Sequence, residues 1–321
     1  MLMEETKLKL INMADVEVEV VEWLLYPLIP FGKITILQGD PGEGKTTVML
    51  HLIACLTKGE PLSFVEERLS AEAISVIYQT AEDGLGDTIK PRLLEAGADC
   101  SKVLVIDDSE EALTIADDRL ELAIETTGAK LIVLDPLQGY LGSGIDMHRA
   151  NEVRPLMHRL SVLAEKYKCA IVLIGHMNKN SMGKAGYRAL GSIDIPAAAR
   201  SVIVCGRVKE DPEMRVLCQI KNSLAPEAQA IAFRLDKENG FQWVGEVDVT
   251  IDELLSGECK ASRLQEAELF LKEILADGET SAVEIYTLAE QEGIKQKTLR
   301  KAKDKLKVTV IKRKNKWYWN L

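Results

Sequence analysis

The residues with the plainest chemical purpose are consecutive: Gly39, Asp40, Pro41, Gly42, Glu43, Gly44, Lys45 and Thr46. They fit G-x-x-x-x-G-K-[ST] at every fixed position, after an apolar run at 34–38 and ahead of a helix-forming stretch that begins with Thr46 and Thr47. Glycines let successive backbone N–H groups curl around an anion, and a helix N-terminus adds its dipole. Lys45 would bring a mobile cation to the β- and γ-phosphates of a nucleotide. The Thr46 hydroxyl is a hard oxygen of the kind Mg2+ prefers. ATP and Mg2+ are therefore the expected cofactors.

Three more positions can do work beside such a loop. Asp135 follows the apolar run 131–134, which places a carboxylate at the C-terminal end of a buried strand, where open α/β sheets bind ligands. There it is expected to hold Mg2+ together with Thr46. Glu82 and Asp83 follow the run 73–79 and reach the same edge. A carboxylate in that place can orient or deprotonate an attacking water, and Glu82, nearer the strand end, is favoured over Asp83. His176 ends the run 170–175, where it can donate a hydrogen bond to a γ-phosphate. A histidine is more often structural, and a Gly-rich turn can arise by chance, but the strand–loop–helix context favours function at both.

These side chains need a scaffold that brings strand ends together. Short Val/Ile/Leu runs at 34–38, 73–79, 103–106, 131–134 and 170–175 alternate with helix-length segments. Between the last two, Val153, Leu156, Met157, Leu160, Leu163, Ala164 and Tyr167 recur at helical spacing. Continuous apolar strands separated by helices predict an α/β fold with a mostly parallel sheet covered on both faces. Beyond residue 200 the runs 201–205, 214–221, 230–235 and 241–243, with turns at Asp211-Pro212 and Asn239-Gly240, predict mostly antiparallel strands extending that sheet. Residues 1–247 are read as this core with a short leader, and the acidic stretch 248–261 as a linker. Residues 262–321 are read as a winged helix-turn-helix, with helices at 262–276, 281–292 and 296–306 and strands at 308–313 and 316–320.

Charge follows the same division. The 321 residues carry a formal net charge of −10, but residues 1–259 hold −15 and residues 260–321 hold +5. An acidic body with a basic tail does not exclude nucleic acid. The six cysteines lie far apart with no zinc spacing, which predicts reduced thiols in a cytoplasmic protein. No run approaches the roughly 20 apolar residues of a spanning helix, so no membrane is expected.

The segments PFGKITILQGDPGEGKTT, YQTAEDGLGDTIKPRL, LIVLDPLQGYLG, VLIGHMNK and RALGSIDIPAAARSVIV, in this order, resemble the RecA-type ATPases of plasmid and phage replication. Among these are the RepA-like hexameric helicases and relatives called AAA family ATPases. The resemblance runs from about residue 21 to 245, and the tail GIKQKTLRKAKDKL…WYWNL resembles the winged-helix end of many such relatives. It implies the P-loop role for Lys45 and Thr46, a catalytic glutamate in Glu82, a metal-holding aspartate in Asp135 and a γ-phosphate sensor in His176. It also implies rings with ATP between protomers, so that a cation crosses from the neighbour. Arg188, Arg200, Arg207 and Lys221 are the candidates; Arg200 fits the AAAR segment best, and Lys221 stands where relatives carry a basic finger. Arg92 is a candidate for phosphate or for a subunit contact.

The loops 138–150 and 177–192 would line a central channel in such a ring, with Lys179, Lys184 and Tyr187 against single-stranded DNA. Lys297, Arg300 and Lys301 on the third tail helix, and Lys312, Arg313 and Lys314 on the hairpin, would contact phosphates. Trp317 and Trp319 are expected to anchor the hairpin. The resemblance implies an ATP-hydrolysing DNA helicase or translocase, acting as a hexamer for a plasmid, phage or integrative element. The rival is an ATP-switched DNA-binding protein that does not unwind.

Overall fold

A computed structural model gives the fold, and it describes residues 10–62, 72–177, 194–209, 211–256, 263–276, 278–313 and 316–321. A small hairpin of β1 (Trp23–Leu25) and β2 (Ile29–Pro30) leads into β3 (Ile34–Gly39), whose residues are all buried. The P-loop follows, and α1 (Lys45–Lys58) starts directly after Gly44. Gly59 ends α1 in the left-handed region, its N–H returning to the carbonyls of Cys55 and Leu56. Next come β4 (Val76–Thr80), α2 (Lys90–Glu95), β5 (Val103–Leu104), α3 (Asp118–Thr127) and β6 (Leu131–Asp135). Helix α4 (Ala150–Tyr167) then buries Val153, Met157, Leu160, Leu163 and Ala164, the stripe its spacing predicts.

The chain continues through β7 (Ala170–His176), α5 (Asp194–Ala198), β8 (Ser201–Arg207), β9 (Met214–Asn222), β10 (Ala230–Asp236) and β11 (Gly240–Val247). These strands join β3 to β6 in one nine-stranded sheet of order β11-β10-β9-β8-β3-β7-β6-β4-β5. From β8 to β5 every pairing is parallel, whereas β9, β10 and β11 are added antiparallel. Two cores form because alternate side chains leave opposite faces of a strand. Leu37, Tyr78, Val133 and Val172 face α1 and α2; Ile36, Ile77, Ile132 and Leu173 face α3 and α4.

Parallel strands deliver all their C-terminal ends to one edge, and β3 lies between β7 and β8. The P-loop is therefore flanked by the end of β7 on one side and the end of β8 on the other. That order decides which side chains can reach it.

The acidic stretch 248–261, read from sequence as a linker, is built differently over its described part. There α6 (Ile251–Ser256) packs on β8 and β9, with Leu254 buried among Val208, Val216 and Val247. Three apolar residues, Val249, Ile251 and Leu254, suffice to dock a helix too short to show a clear periodicity.

The C-terminal residues form α7 (Arg263–Ile274), β12 (Thr280–Ser281), α8 (Ala282–Gln291), α9 (Gln296–Lys305), β13 (Thr309–Arg313) and β14 (Lys316–Asn320). Their sheet has the order β12-β14-β13, and Leu271, Ile285, Leu299 and Trp319 share a core of their own. Trp319 anchors the hairpin as expected, but Trp317 is 51% exposed. Trp317 pairs with Lys312 near the hairpin tip, and the Lys312 ammonium lies 5.3 Å from its ring centroid.

Among the described residues no helix is long and apolar enough to cross a membrane.

Candidate functional site

Glycine is required at both ends of the loop. A Cβ on Gly39 would stand 2.2 Å from the Cys205 carbonyl oxygen on β8, so only glycine lets these two backbones approach. Gly44 has φ +87°, and a Cβ there would also meet Leu235 at 2.9 Å. Between them the chain turns over Asp40 and Pro41 and enters α1 with its first N–H groups uncommitted to the helix.

Lys45 is 5% exposed. Its Nζ donates to the carbonyl oxygens of Gly39 (3.0 Å) and Asp40 (2.8 Å) and lies 3.3 Å from Nδ1 of His176. Burial lowers its pKa, and the carboxylates of Asp135, Glu43 and Asp40 oppose that effect. Nε2 of His176 in turn faces Oε1 of Glu82 at 3.9 Å. A line of groups thus runs from the lysine through the histidine to the glutamate.

Asp135 is also buried, and its pKa is raised by desolvation. Hydrogen bonds from Thr46 and Tyr78 and the charge of Lys45 oppose that rise. Both hydroxyls donate to the same oxygen, Oδ2, at 2.7 Å each. Tyr78, fully buried on β4, has its own pKa pushed well up by burial first and by Asp135 next, so it remains a donor. Two hydroxyls on Oδ2 leave Oδ1 for other partners. The Thr46–Asp135 pair is an all-oxygen donor set, and it fits Mg2+.

Asp83 and Glu82, open alternatives from sequence, are placed differently. Asp83 is engaged by Arg92 at 3.2 Å, and its N–H bonds the Thr80 hydroxyl. Glu82 has a 65% exposed side chain beside His176. Arg92 is thereby committed to Asp83 in its own protomer.

Of the candidate fingers, Arg188 lies outside the described residues. Arg207 turns to its own P-loop, donating from Nη2 to the Gly42 carbonyl at 3.2 Å, with Nε 3.7 Å from Glu43. Arg200 and Lys221 are brought to the other end of the sheet. Arg200 N–H bonds the Ile34 carbonyl at the start of β3, and Lys221 Nζ donates to the carbonyls of Pro196 and Ala197. Five residues of strand, roughly 17 Å, separate that end from the P-loop.

Lys179, Lys184, Tyr187 and Lys314 also lie outside the described residues. Lys297 belongs to α9. Arg300, Lys301 and Lys312 are exposed, and Arg313 is paired with Glu279 at 2.6 Å.

Several site residues carry no signal in the sequence. Tyr78 is one, and a cleft beside α1 is another. The cleft, of about 260 Å³, is lined by Thr47, His51, Arg92, Glu95, Asp236 and Phe241 among others. His51 stacks on Phe241 with 3.8 Å between ring centroids, and burial lowers its pKa to about 4. The flat pair lies near the middle of α1, nearly two turns on from Lys45, and offers a surface for a planar ring.

A buried strand, a glycine-rich loop opening a helix and a carboxylate on a nearby strand end define a P-loop nucleotide-binding protein. The AAA_25 family model, an AAA domain, matches residues 4–182, more than half of the chain, and the protein belongs to this family. It is 25% identical over 162 residues to the DNA repair protein RadA of Mycobacterium tuberculosis (strain CDC 1551 / Oshkosh), covering 50% of this chain and 30% of RadA. It is 25% identical over 243 residues to Protein RecA of Clostridium novyi (strain NT), covering 70% of this chain and 64% of that protein. The chain thus spans less than a third of this RadA and less than two thirds of this RecA. Among solved structures it is similar to the KaiC-like protein PH0186 from Pyrococcus horikoshii OT3, at 17% identity and a TM-score of 0.47 over 67% of this chain and 93% of that one. RecA-like P-loop ATPases use ATP with Mg2+, the pair to which the donor set is suited.

Proposed function

We propose that the protein is an ATP-hydrolysing DNA helicase or translocase of the RepA type, working in the cytoplasm on the replication of a plasmid, phage or integrative element. The observation that carries the ATP-hydrolysing part of this reading is the convergence of Lys45, Asp135, His176 and Glu82 on one sheet edge. Binding alone needs the first two. The second carboxylate, next to His176, is what hydrolysis requires in addition.

Lys45 and the loop N–H groups would hold the phosphates, and Thr46 and Asp135 the metal. Bound Mg2+ supplies neutralisation of charge on the β- and γ-oxygens. Glu82 takes the proton of the attacking water, and His176 reads the γ-phosphate from Nε2. The stacked His51–Phe241 cleft receives the base. Arg200 is exposed at the opposite sheet end, too far from its own P-loop to act there, which supports a role across a protomer boundary in a hexamer. Lys221 shares that end.

The C-terminal helices and hairpin serve in this reading as a winged helix-turn-helix on duplex DNA. Exposed Arg300 and Lys301 on α9 and Lys312 on β13 support phosphate contacts, whereas Arg313 must first leave Glu279. Removing residues 260–321 is expected to weaken DNA binding and flatten its salt dependence, by about 0.9 in the log–log slope for each phosphate the protein no longer neutralises. Filter binding across a salt series measures it. An unchanged slope removes the tail from the DNA interface.

The experiment for the main reading is strand displacement on forked DNA, with ATP or a non-hydrolysable analogue, alongside mass measurement of the assembly. Displacement with ATP only, by a nucleotide-dependent hexamer, is the expected result. ATP-dependent retention of DNA without displacement would instead establish the switch.

A further inference from the structure

Two P-loop carbonyls are held from behind by side chains of one strand. The Arg207 guanidinium donates to the Gly42 carbonyl at 3.2 Å, and the Cys205 thiol to the Glu43 carbonyl at 3.1 Å. In a trans peptide the N–H points opposite to the C=O. Fixing these two carbonyls toward β8 therefore turns the N–H groups of Glu43 and Gly44 the other way. Glu43 N–H makes only a long 3.4 Å turn contact with Asp40, so the loop itself does not hold this arrangement firmly.

The Glu43 side chain is drawn the same way. Its carboxylate lies 3.7 Å from Arg207 Nε and 3.9 Å from Arg215 Nε on β9, and it is 16% exposed. Glu43 Oε2 and Arg215 Nε have no hydrogen-bond partner among the described residues, so their attraction is one of charge. Arg215 is itself buried, and its Nη1 donates to the carbonyls of Pro212 and Met214. The two arginines face each other across the β8–β9 ladder, Arg207 opposite Arg215. A lone carboxylate beside the phosphates would repel them. Two guanidinium groups neutralise it and make it a tether.

We propose that Cys205, Arg207 and Arg215 are positioning residues, a clamp on β8 and β9 that sets the P-loop backbone through Gly42 and Glu43 for phosphate binding. The inference rests on the nucleotide reading above and extends it. It gives the β8–β9 pair a part in the site and makes Arg207 a residue acting within its own protomer.

The test is equilibrium binding of a fluorescent ADP in the full chain, for wild type, Glu43→Gln, Arg207→Met, Arg207→Lys and the double variant E43Q/R207M, each with its melting temperature. E43Q and R207M should each weaken binding about tenfold, with R207K staying within about threefold of wild type. The double variant should bind no more weakly than the weaker single, because one clamp is broken once. A merely structural role would lower melting temperatures and leave affinity alone. Wild type that binds, with both singles equal to it, overturns the clamp and spares the nucleotide reading. Tighter binding by E43Q also overturns it, since Glu43 would then act only by repulsion. Wild type that binds no nucleotide overturns the reading and the clamp together.

Discussion

Lys45→Ala is expected to abolish nucleotide binding at micromolar concentrations, with affinity falling at least about a hundredfold. The ammonium is 5% exposed, close to two loop carbonyls and to His176, and its charge is one of the influences that keep Asp135 from gaining a proton. Alanine removes the cation proposed to meet the phosphates and leaves the Gly39 and Asp40 carbonyls without that donor. It also makes Asp135 easier to protonate, since one of the effects opposing its raised pKa is gone. Nucleotide fluorescence measures the outcome. Binding by the variant within about threefold of wild type would remove Lys45 from the phosphate site.

The parts of the site that could be read from sequence share one property: their chemistry is carried along the chain or by strand ends. The P-loop is contiguous, so its residue types and spacing alone specify the turn and the helix start. Asp135, Glu82 and His176 follow apolar runs, and a parallel sheet sends such ends to one edge. The missed residues depend on register instead. Tyr78 lies in a strand buried on both faces, where every position is enclosed and no alternation reveals which side chain meets Asp135. Arg207 and Arg215 meet Glu43 only because β8 pairs with β3 and then with β9 in one particular register. The His51–Phe241 stack joins residues from α1 and β11, elements far apart in the chain. The same limit hid from the sequence the contact of Arg207, one of four candidate fingers, with the Gly42 carbonyl of its own chain. It also made α6 look like a linker, because a helix of one or two turns needs only Leu254 and its apolar neighbours to dock.

Glu82→Gln separates chemistry from binding, and its expected effect is a fall in ATP hydrolysis of about a hundred- to ten-thousandfold with nucleotide affinity unchanged. The geometry explains both halves. Among the described residues Glu82 makes no hydrogen bond or ion pair with Lys45, Thr46 or Asp135, and its side chain is largely solvent-exposed, so the amide disturbs no phosphate or metal contact. What it loses is the basic oxygen that lies beside Nε2 of His176. Asp83 cannot take over cheaply, because it is paired with Arg92 and its backbone is fixed by Thr80. Steady-state phosphate release, measured with titration of fluorescent nucleotide on the same preparation, reads the two quantities independently. Hydrolysis at the wild-type rate would exclude Glu82 as the base. A fall in hydrolysis matched by an equal fall in affinity would instead place Glu82 among the groups that bind the nucleotide, and would move the search for the base to Asp83 released from Arg92.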